Sequence, residues 1–447
     1  MLLISNGRIV NEGKIYKASI LIKDGKIDAI YKDEVPKSIV EKVHTIDADD
    51  CWVLPGVIDS HVHFRDPGLT HKGDLLTESK AAAAGGVTSI MDMPNTNPQT
   101  ITVQAFEEKC QLASTKSLVN YSFYLGATNS NFEELQKIDP SKVCGIKLFM
   151  GSSTGNMLVD KDSLLHRIFE DVKIPLAIHS EDEGTVKANA ATYKAEYGEN
   201  PIPMKYHAKI RSAEACYKST ALAIELAKKY GTRLHILHLS TAKELALFDN
   251  VSLDKKNVTA EACPHYLLFD ENDYDTLGAR IKCNPSIKST QDKEALLAAI
   301  NTQKIDTIGT DHAPHLLSEK EGDALTATSG MPQIQHALVS MLELAKHGKT
   351  TIENVVEKMC HNPAKLYQIN KRGYIRKGYY ADIVIVQRNA SWQVNTDTIL
   401  SKCGWSPYEG KKFSSKVTYT IINGNVVYSN GEFNEDTKGQ ALEFTRA

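Results

Sequence analysis

One short run near the start of the chain reads Val57-Ile58-Asp59-Ser60-His61-Val62-His63. Its length and its apolar content are typical of a buried β-strand. Side chains two residues apart share one face of a strand, so the two imidazoles at the end of the run point the same way. Because histidine is the commonest metal ligand, the pair indicates a metal site at the end of a strand.

Seven further runs of this kind follow along the chain. They are Val87–Met93, Tyr121–Ala127, Gly145–Met150, Leu176–Ser180, Leu234–Ser240, Val258–Cys263 and Ile305–Asp311. Several of the segments between them carry helical patterns, among them Ser212–Lys229 and Asp292–Asn301. Eight alternating strand and helix units predict an α/β protein with a (β/α)8 TIM barrel, and a doubly wound open sheet is the competing interpretation. No G-x-G-x-x-G motif opens a helix, so a dinucleotide-binding fold has no direct support.

The two ends of the chain differ from this middle part. Both carry short apolar runs around turn dipeptides, Asp24-Gly25 near the start and Asn423-Gly424 near the end, which are typical of β-hairpins. Chain ends often lie close together, so we expect the two parts to form one small β-sandwich domain. The predicted division is residues 1–54 and 366–447 for this domain and its tail, and residues 55–365 for the barrel.

Composition excludes several classes of protein. The 447 residues are 42% hydrophobic and 24% charged, which is ordinary for a globular protein with a large core. The net charge of −3 gives no electrostatic footprint for nucleic acid or for an anionic membrane. An apolar stretch of about 18 residues, which a membrane span would need, is missing. The start of the chain lacks the pattern of a secretory signal and no C-x-x-C pair occurs, so we expect a cytoplasmic protein with reduced thiols.

Polar residues stand where the predicted strands end. In a barrel of this kind the active site lies at the carboxyl ends of the strands. The runs carry four histidines and one carboxylate there: His61, His63, His179, His238 and Asp311. A lone histidine is more often a packing or surface residue, but this set together suggests Zn²⁺ or a similar ion.

Lys147 is the unusual member of these runs, because it lies inside the apolar segment Val143–Met150. Burial and nearby cations would lower its pKa and leave a neutral amine, which can add carbon dioxide. The resulting carbamate would be an anion with two oxygens that could bridge two metal ions. The alternative interpretation is a lysine whose ammonium reaches out to the barrel mouth.

Three longer motifs resemble those of one family. They are Gly56–Gly68, Met91–Thr96 and Gly309–His315, which read GVIDSHVHFRDPG, MDMPNT and GTDHAPH. They are similar to the dihydroorotases of the amidohydrolase superfamily, and the similarity extends from about Met1 to Tyr428. The resemblance implies a zinc-dependent cyclic amidohydrolase that interconverts N-carbamoyl-L-aspartate and L-dihydroorotate in pyrimidine (UMP) biosynthesis. It also implies a homodimer that binds this small-molecule substrate. The composition has already excluded nucleic acid and a membrane as partners.

The resemblance further implies a role for each site residue. Two Zn²⁺ per chain would be bridged by a carboxylated Lys147 and a hydroxide, whereas other members of the family use an aspartate elsewhere. Asp311 would be the catalytic residue that moves the proton. The metal ligands would be His61, His63, Lys147, His179, His238 and Asp311. The substrate contacts would be Arg65, Asn95, Asn284 and His315.

Three segments depart from the commonest dihydroorotase pattern. Glu261–Tyr266 is more similar to allantoinase, and Pro285–Lys288 and Gly322–Met331 differ from many relatives, which leaves their contacts open. Allantoinase and dihydropyrimidinase are the nearest alternatives, but their substrates lack the carboxylate that Arg65 and its neighbours would hold. A non-catalytic scaffold is the alternative from another class, although every ligand position is filled here.

Overall fold

A computed structural model describes residues 1–151 and 157–446 of the chain. Five strands come before the barrel, namely β1 (Leu2–Asn11), β2 (Lys14–Lys23), β3 (Lys26–Tyr31), β4 (His44–Asp47) and β5 (Cys51–Pro55). Asp24 and Gly25 connect β2 to β3 with positive φ angles of 50° and 75°. This is the conformation of the hairpin turn that the dipeptide predicts.

Eight parallel strands form the second sheet, and each pairs with the strands that precede and follow it in the sequence. They are β6 (Val57–Val62), β7 (Val87–Asp92), β8 (Asn120–Gly126), β9 (Gly145–Phe149), β10 (Leu176–His179), β11 (Leu234–Ile236), β12 (Val258–Ala262) and β13 (Thr307–Ile308). The sheet closes beyond the end of β13, where the His63 N–H donates to the His312 carbonyl at 2.7 Å. The predicted (β/α)8 barrel is confirmed.

Two barrel strands end at least three residues earlier than the sequence predicts, whereas the other six end one residue earlier. The predicted runs reach Ser240 and Asp311, but β11 ends at Ile236 and β13 at Ile308. His238 and Asp311 have positive φ angles of 40° and 50°, which take the backbone out of the extended region. Both site residues therefore lie on the loops just after their strands.

Helices occupy the connections between the strands. The α-helices of the described chain are α1 (Lys37–Val40), α2 (Leu75–Ala84), α3 (Val103–Lys116), α4 (Phe132–Gln136), α5 (Asp162–Asp171), α6 (Glu183–Tyr197), α7 (His207–Ile210), α8 (Ala213–Tyr230), α9 (Pro264–Leu268), α10 (Tyr274–Leu277), α11 (Thr290–Ala299), α12 (Ala337–Lys346), α13 (Ile352–Val356) and α14 (Asn362–Tyr367). The two helices predicted from the sequence are α8 and α11, which begin after the N-cap serines Ser212 and Ser289. Within residues 1–151 and 157–446, no helix has the length and apolarity needed to cross a membrane.

The last strands complete a second domain. They are β14 (Ile383–Gln387), β15 (Trp392–Gln393), β16 (Lys412–Phe413), β17 (Lys416–Ile422), β18 (Asn425–Ser429) and β19 (Glu432–Phe433). Strands β14, β17, β18 and β19 join β1–β5 in one continuous nine-stranded sheet, in which β14 runs antiparallel to β5. The predicted β-rich domain built from both chain ends is confirmed. The end of the chain then returns to the barrel, where the Leu442 N–H donates to the Tyr121 carbonyl at 2.8 Å.

Candidate active site

A cavity of about 400 Å³ opens at the carboxyl ends of the barrel strands. Its lining includes all ten residues that the sequence predicts for the site: His61, His63, Arg65, Asn95, Lys147, His179, His238, Asn284, Asp311 and His315. These residues come from strand ends and from the loops that follow them, as expected for the active site of a barrel. The structure thus brings the whole predicted set to one place.

Three of these residues form a first group of donors that could hold a metal ion. Oδ1 of Asp311 lies 3.1 Å from Nε2 of His61 and 3.1 Å from Nε2 of His63. The ligand atoms of the three residues all lie within 4.8 Å of one another. Two imidazoles and a carboxylate that converge on one point fit a divalent cation such as zinc.

The carboxylates around this group determine its protonation. Burial would lower the pKa of His61, but the carboxylates of Asp311 and Glu261 raise it to about 9. Burial lowers the pKa of His63 to about 4. Burial would also raise the pKa of Asp311, but the two imidazoles hold it well below its usual range. Asp311 is therefore an anion at neutral pH, as a metal ligand or a proton acceptor must be.

His179 and His238 form a second group of donors beside the first. Nδ1 of His179 lies 2.9 Å from Nε2 of His238, and the His238 ring centre lies 5.3 Å from that of His61. Burial lowers the pKa of both rings, that of His238 well below its usual range, so both are neutral and able to bind a metal. Nδ1 of His238 is buried and has no hydrogen-bond partner in the described part of the chain.

Lys147 lies in the middle of β9 and is only 1% exposed. Burial lowers its pKa to about 7, although the carboxylates of Asp311 and Glu261 act in the opposite direction. A large fraction of the amine is therefore neutral at neutral pH, which is the form that reacts with carbon dioxide. The four imidazoles, the carboxylate and this amine together fit a site for two divalent metal ions.

Arg65 and His315 form a further polar part of the cavity. The Arg65 side chain donates from Nε to the Pro314 carbonyl at 3.0 Å, and its Nη2 lies 2.9 Å from Nε2 of His315. Burial lowers the pKa of His315, and the cations of Arg65 and Lys72 lower it further, so the ring is neutral. Arg65 forms no ion pair with any carboxylate among the described residues. A buried guanidinium in this state fits the carboxylate of a ligand.

The two asparagines hold other parts of the site. Nδ1 of His63 donates to Oδ1 of Asn95 at 2.8 Å, so Asn95 orients a histidine of the first donor group as well as facing the cavity. Oγ of Ser329 donates to Oδ1 of Asn284 at 3.0 Å. Asn284 is thereby joined to the 324–330 segment, whose contacts the sequence left open.

Glu261 is the main residue that sequence reasoning left without a role. Its Oε1 accepts a hydrogen bond from Nδ1 of His61 at 2.7 Å and another from the backbone N–H of His238 at 3.2 Å. Such a carboxylate fixes the orientation of a metal-binding imidazole. The signal in the sequence was an acidic residue near the end of a predicted strand.

Glu261 also belongs to a second possible donor set with His61 and Cys263. Burial raises the pKa of the Cys263 thiol well above its usual value, and the carboxylates of Glu261 and Asp311 raise it further. Neither Glu261 nor Cys263 lines the cavity, so an ion held by this set would lie outside the space that a substrate can reach. This set does not fit a metal ion as well as the group of His61, His63 and Asp311.

Glu181 and Arg211 support the second donor group in a similar way. Oε2 of Glu181 lies 3.0 Å from Nε2 of His179, and Nη1 of Arg211 donates to the same oxygen. All three side chains are buried, and Arg211 also lines the cavity. Arg211 lies between α7 and α8, away from any strand end, so no sequence pattern pointed to it.

Comparison with known proteins agrees with this geometry. The model of the amidohydrolase family matches residues 52–427. The chain belongs to the amidohydrolase family. This confirms the superfamily that the sequence motifs predict.

Individual relatives of this amidohydrolase carry different names. It is 34% identical over 425 residues to a dihydroorotase of Methanosphaera stadtmanae, and the aligned region covers 94% of this chain and 95% of the relative. It is 31% identical to an allantoinase of Bacillus velezensis, over 96% of this chain and 94% of the relative. The solved L-hydantoinase (dihydropyrimidinase) from Arthrobacter aurescens has a TM-score of 0.91 at 30% identity and covers 97% of both chains. The similarity covers more than nine-tenths of this chain in all three comparisons, whereas the names of the three proteins differ.

Proposed function

We propose that this amidohydrolase is a dihydroorotase, which interconverts N-carbamoyl-L-aspartate and L-dihydroorotate in pyrimidine biosynthesis. Arg65 is the observation that carries the proposal, because its buried guanidinium lies beside the neutral His315 without a carboxylate partner in the described chain. Dihydroorotate has a carboxylate to offer, whereas allantoin and dihydrouracil have none. A planar guanidinium can hold a carboxylate through two parallel hydrogen bonds. Asn95 and Asn284 complete the proposed substrate contacts.

The proposal includes two divalent metal ions, taken here as zinc. His61, His63 and Asp311 would hold one ion. His179 and His238 would hold the other, and the carboxylated Lys147 would bridge the two. When bound, the ions would lower the pKa of a water molecule and polarise the amide carbonyl of the substrate. The homodimer and the cytoplasmic location implied by the resemblance are also part of this proposal.

Asp311 is the proposed proton carrier of the reaction. Its carboxylate is ionised and faces the cavity, where it could accept a proton from the attacking water. It would then deliver this proton to the ring nitrogen as the amide C–N bond breaks, and the proton would travel back when the ring closes. Asn95 and Glu261 contribute by orienting His63 and His61, which keeps the ligand geometry constant during the proton transfer.

A hydantoinase activity is the second candidate, and one feature of the cavity favours it. Part of the wall is apolar and is formed by Val186, Ala190, Ile210 and Leu325. Such a wall suits a ring with an apolar substituent, which dihydroorotate lacks. The similarity to the solved L-hydantoinase points in the same direction. Arg65 would then have no substrate group to bind, which is why dihydroorotate is the preferred substrate.

Turnover of several substrates by one purified preparation tests this choice. We expect activity on L-dihydroorotate and N-carbamoyl-L-aspartate, and little or none on allantoin, dihydrouracil or a hydantoin with an apolar substituent. Turnover of allantoin or a hydantoin without any turnover of dihydroorotate would contradict the proposal. Bound zinc is measured on the same sample. A well-folded protein that is inactive, free of metal and not activated by zinc would favour the non-catalytic scaffold.

A further inference from the structure

Lys320 is a buried lysine bonded to backbone carbonyls at the edge of the cavity. It is 5% exposed, and its Nζ donates to the carbonyls of Lys282 at 3.1 Å, Thr328 at 2.6 Å and Gly330 at 2.7 Å. An ammonium has three hydrogens, so all of its donors are used. Burial lowers the pKa of Lys320 to about 7, but its nitrogen faces three carbonyl acceptors, and only the protonated form has a donor for each of them.

These carbonyls belong to two segments that line the cavity and meet each other. Lys282 and Asn284 lie on one segment, and Ser329 and Gly330 lie on the other. Oγ of Ser329 donates to Oδ1 of Asn284 at 3.0 Å, and the Gly330 N–H donates to the Lys282 carbonyl at 2.9 Å. The ammonium of Lys320 is thus bonded to both sides of this junction.

The junction lies directly against His315. A Cβ added to Gly330 would meet Cδ2 of His315 and the Ala313 carbonyl oxygen, each at 2.9 Å, and the φ angle of Gly330 is 125°. The backbone of the 328–330 segment therefore approaches the imidazole as closely as glycine permits. A small displacement of this segment would change the position of the groups that face Arg65 and His315.

We propose that Lys320 is a positioning residue for substrate recognition. Its ammonium holds Asn284, Ser329 and Gly330 in place through the backbone, next to the pair of Arg65 and His315. The carbonyls that it binds belong to no metal-binding residue, so it acts on substrate binding and leaves the metal ions in place. The identity of the substrate rests on the proposed function, whereas the holding of the two segments does not.

Lys358 provides a matched control. It is also a buried lysine, 0% exposed, and its Nζ donates to the carbonyls of Thr302 at 3.1 Å and Ile305 at 2.8 Å. These carbonyls precede β13, at the amino end of the barrel. Lys358 and its partners do not line the cavity. Its replacement removes the same kind of interaction far from the substrate.

The test compares Lys320→Met with Lys358→Met in the full-length, zinc-loaded enzyme. We expect both variants to be less stable to heat. Lys320→Met should raise KM for L-dihydroorotate about tenfold or more and change kcat less than about threefold, with unchanged zinc per chain. Lys358→Met should leave KM within about twofold of the wild type. If Lys320→Met does not fold, Lys320→Gln keeps two N–H donors and takes its place in the comparison.

Hydrogen exchange gives a readout that needs no substrate. In Lys320→Met, peptides covering residues 282–284 and 324–330 should exchange their amide hydrogens faster than in the wild type. In Lys358→Met, the same peptides should exchange at the wild-type rate. If the wild type turns over no dihydroorotate, the proposed function fails and the exchange result still decides the role of Lys320. Unchanged exchange in Lys320→Met overturns the inference, and so does an equal rise of KM in both variants.

Discussion

The two ends of the barrel bury the same kinds of polar residue and satisfy them differently. At the amino end, Lys256 and Asp306 form an ion pair of 2.8 Å with side chains 1% and 0% exposed. Lys358 donates to the Thr302 and Ile305 carbonyls nearby. Both lysines have acceptors within the chain, so they need no ligand to satisfy them.

At the carboxyl end, groups of the same kind face each other. Nδ1 of His179 lies 2.9 Å from Nε2 of His238, and Nη2 of Arg65 lies 2.9 Å from Nε2 of His315. Oδ1 of Asp311 is within reach of two imidazoles at once. The imidazoles and the carboxylate at this end can therefore bind ions, and the guanidinium can bind an anionic ligand. Two imidazoles in contact and a guanidinium beside a neutral imidazole, and not burial by itself, distinguish the site from the amino end of the barrel.

The largest effect is expected from Asp311→Asn, which keeps the shape of the side chain and removes its charge. Loss of the proton carrier should lower kcat on the order of 10²–10⁴-fold. Steady-state kinetics with L-dihydroorotate measure this. Asp306→Asn is the matched control, because it neutralises a buried aspartate at the other end of the same strand, and kcat should change less than about threefold. A kcat of Asp311→Asn close to the wild-type value would break the comparison.

Lys147→Ala should have the next largest effect. In the proposed site the second metal ion would lose its bridging ligand, so the zinc content should fall below two per chain. We expect activity to fall about 100-fold or more, since residues that only orient a ligand already cost 10–100-fold. Metal analysis and kinetics on one preparation measure both quantities. Lys358→Ala, a buried lysine outside the cavity, should keep its zinc, and full zinc with full activity in Lys147→Ala would refute the bridging role.

Much of the fold could be predicted from the sequence because its signals are local. The apolar runs reveal the barrel strands, and turn dipeptides such as Asp24-Gly25 reveal the hairpins of the second domain. The lengths of β11 and β13 could not be predicted. Each strand ends shortly before a residue with a positive φ angle, His238 or Asp311, and the apolar pattern of the runs gives no indication of this conformation.

The site divides in the same way. His61 and His63 can be recognised in the sequence because they are two residues apart in an apolar run, a spacing that places both side chains on one face of a strand. Glu261 acts on His61 across the barrel, from a strand that is not adjacent in the sheet order, so its partner cannot be found from spacing. Arg211 reaches Glu181 only because the connection before α8 folds over the cavity. Contacts of this kind depend on tertiary structure.

Arg65→Lys should have a moderate effect, confined to substrate binding. Lysine keeps the charge but cannot form the two parallel hydrogen bonds of a guanidinium. Hydrogen bonds to charged groups contribute about 1.5–3 kcal/mol, so KM should rise about 10–100-fold with little change in kcat. Arg372→Lys is the control, since Arg372 is a buried arginine that already pairs with Asp382 outside the cavity. An unchanged KM in Arg65→Lys would count against a carboxylate at this position.

The smallest effect on activity is expected from Lys256→Met, at the amino end. This change leaves the buried Asp306 without its cation, and breaking such a pair costs about 3–5 kcal/mol of unfolding free energy. Chemical denaturation measures that loss, and adding Asp306→Asn should recover part of it because no buried charge is then left unpaired. The kcat/KM should stay within about twofold of the wild type, since neither residue of the pair lines the cavity. A large fall in kcat would instead mean that β12 and β13 transmit the change to Glu261 and Asp311, and the two ends of the barrel would then be one functional unit.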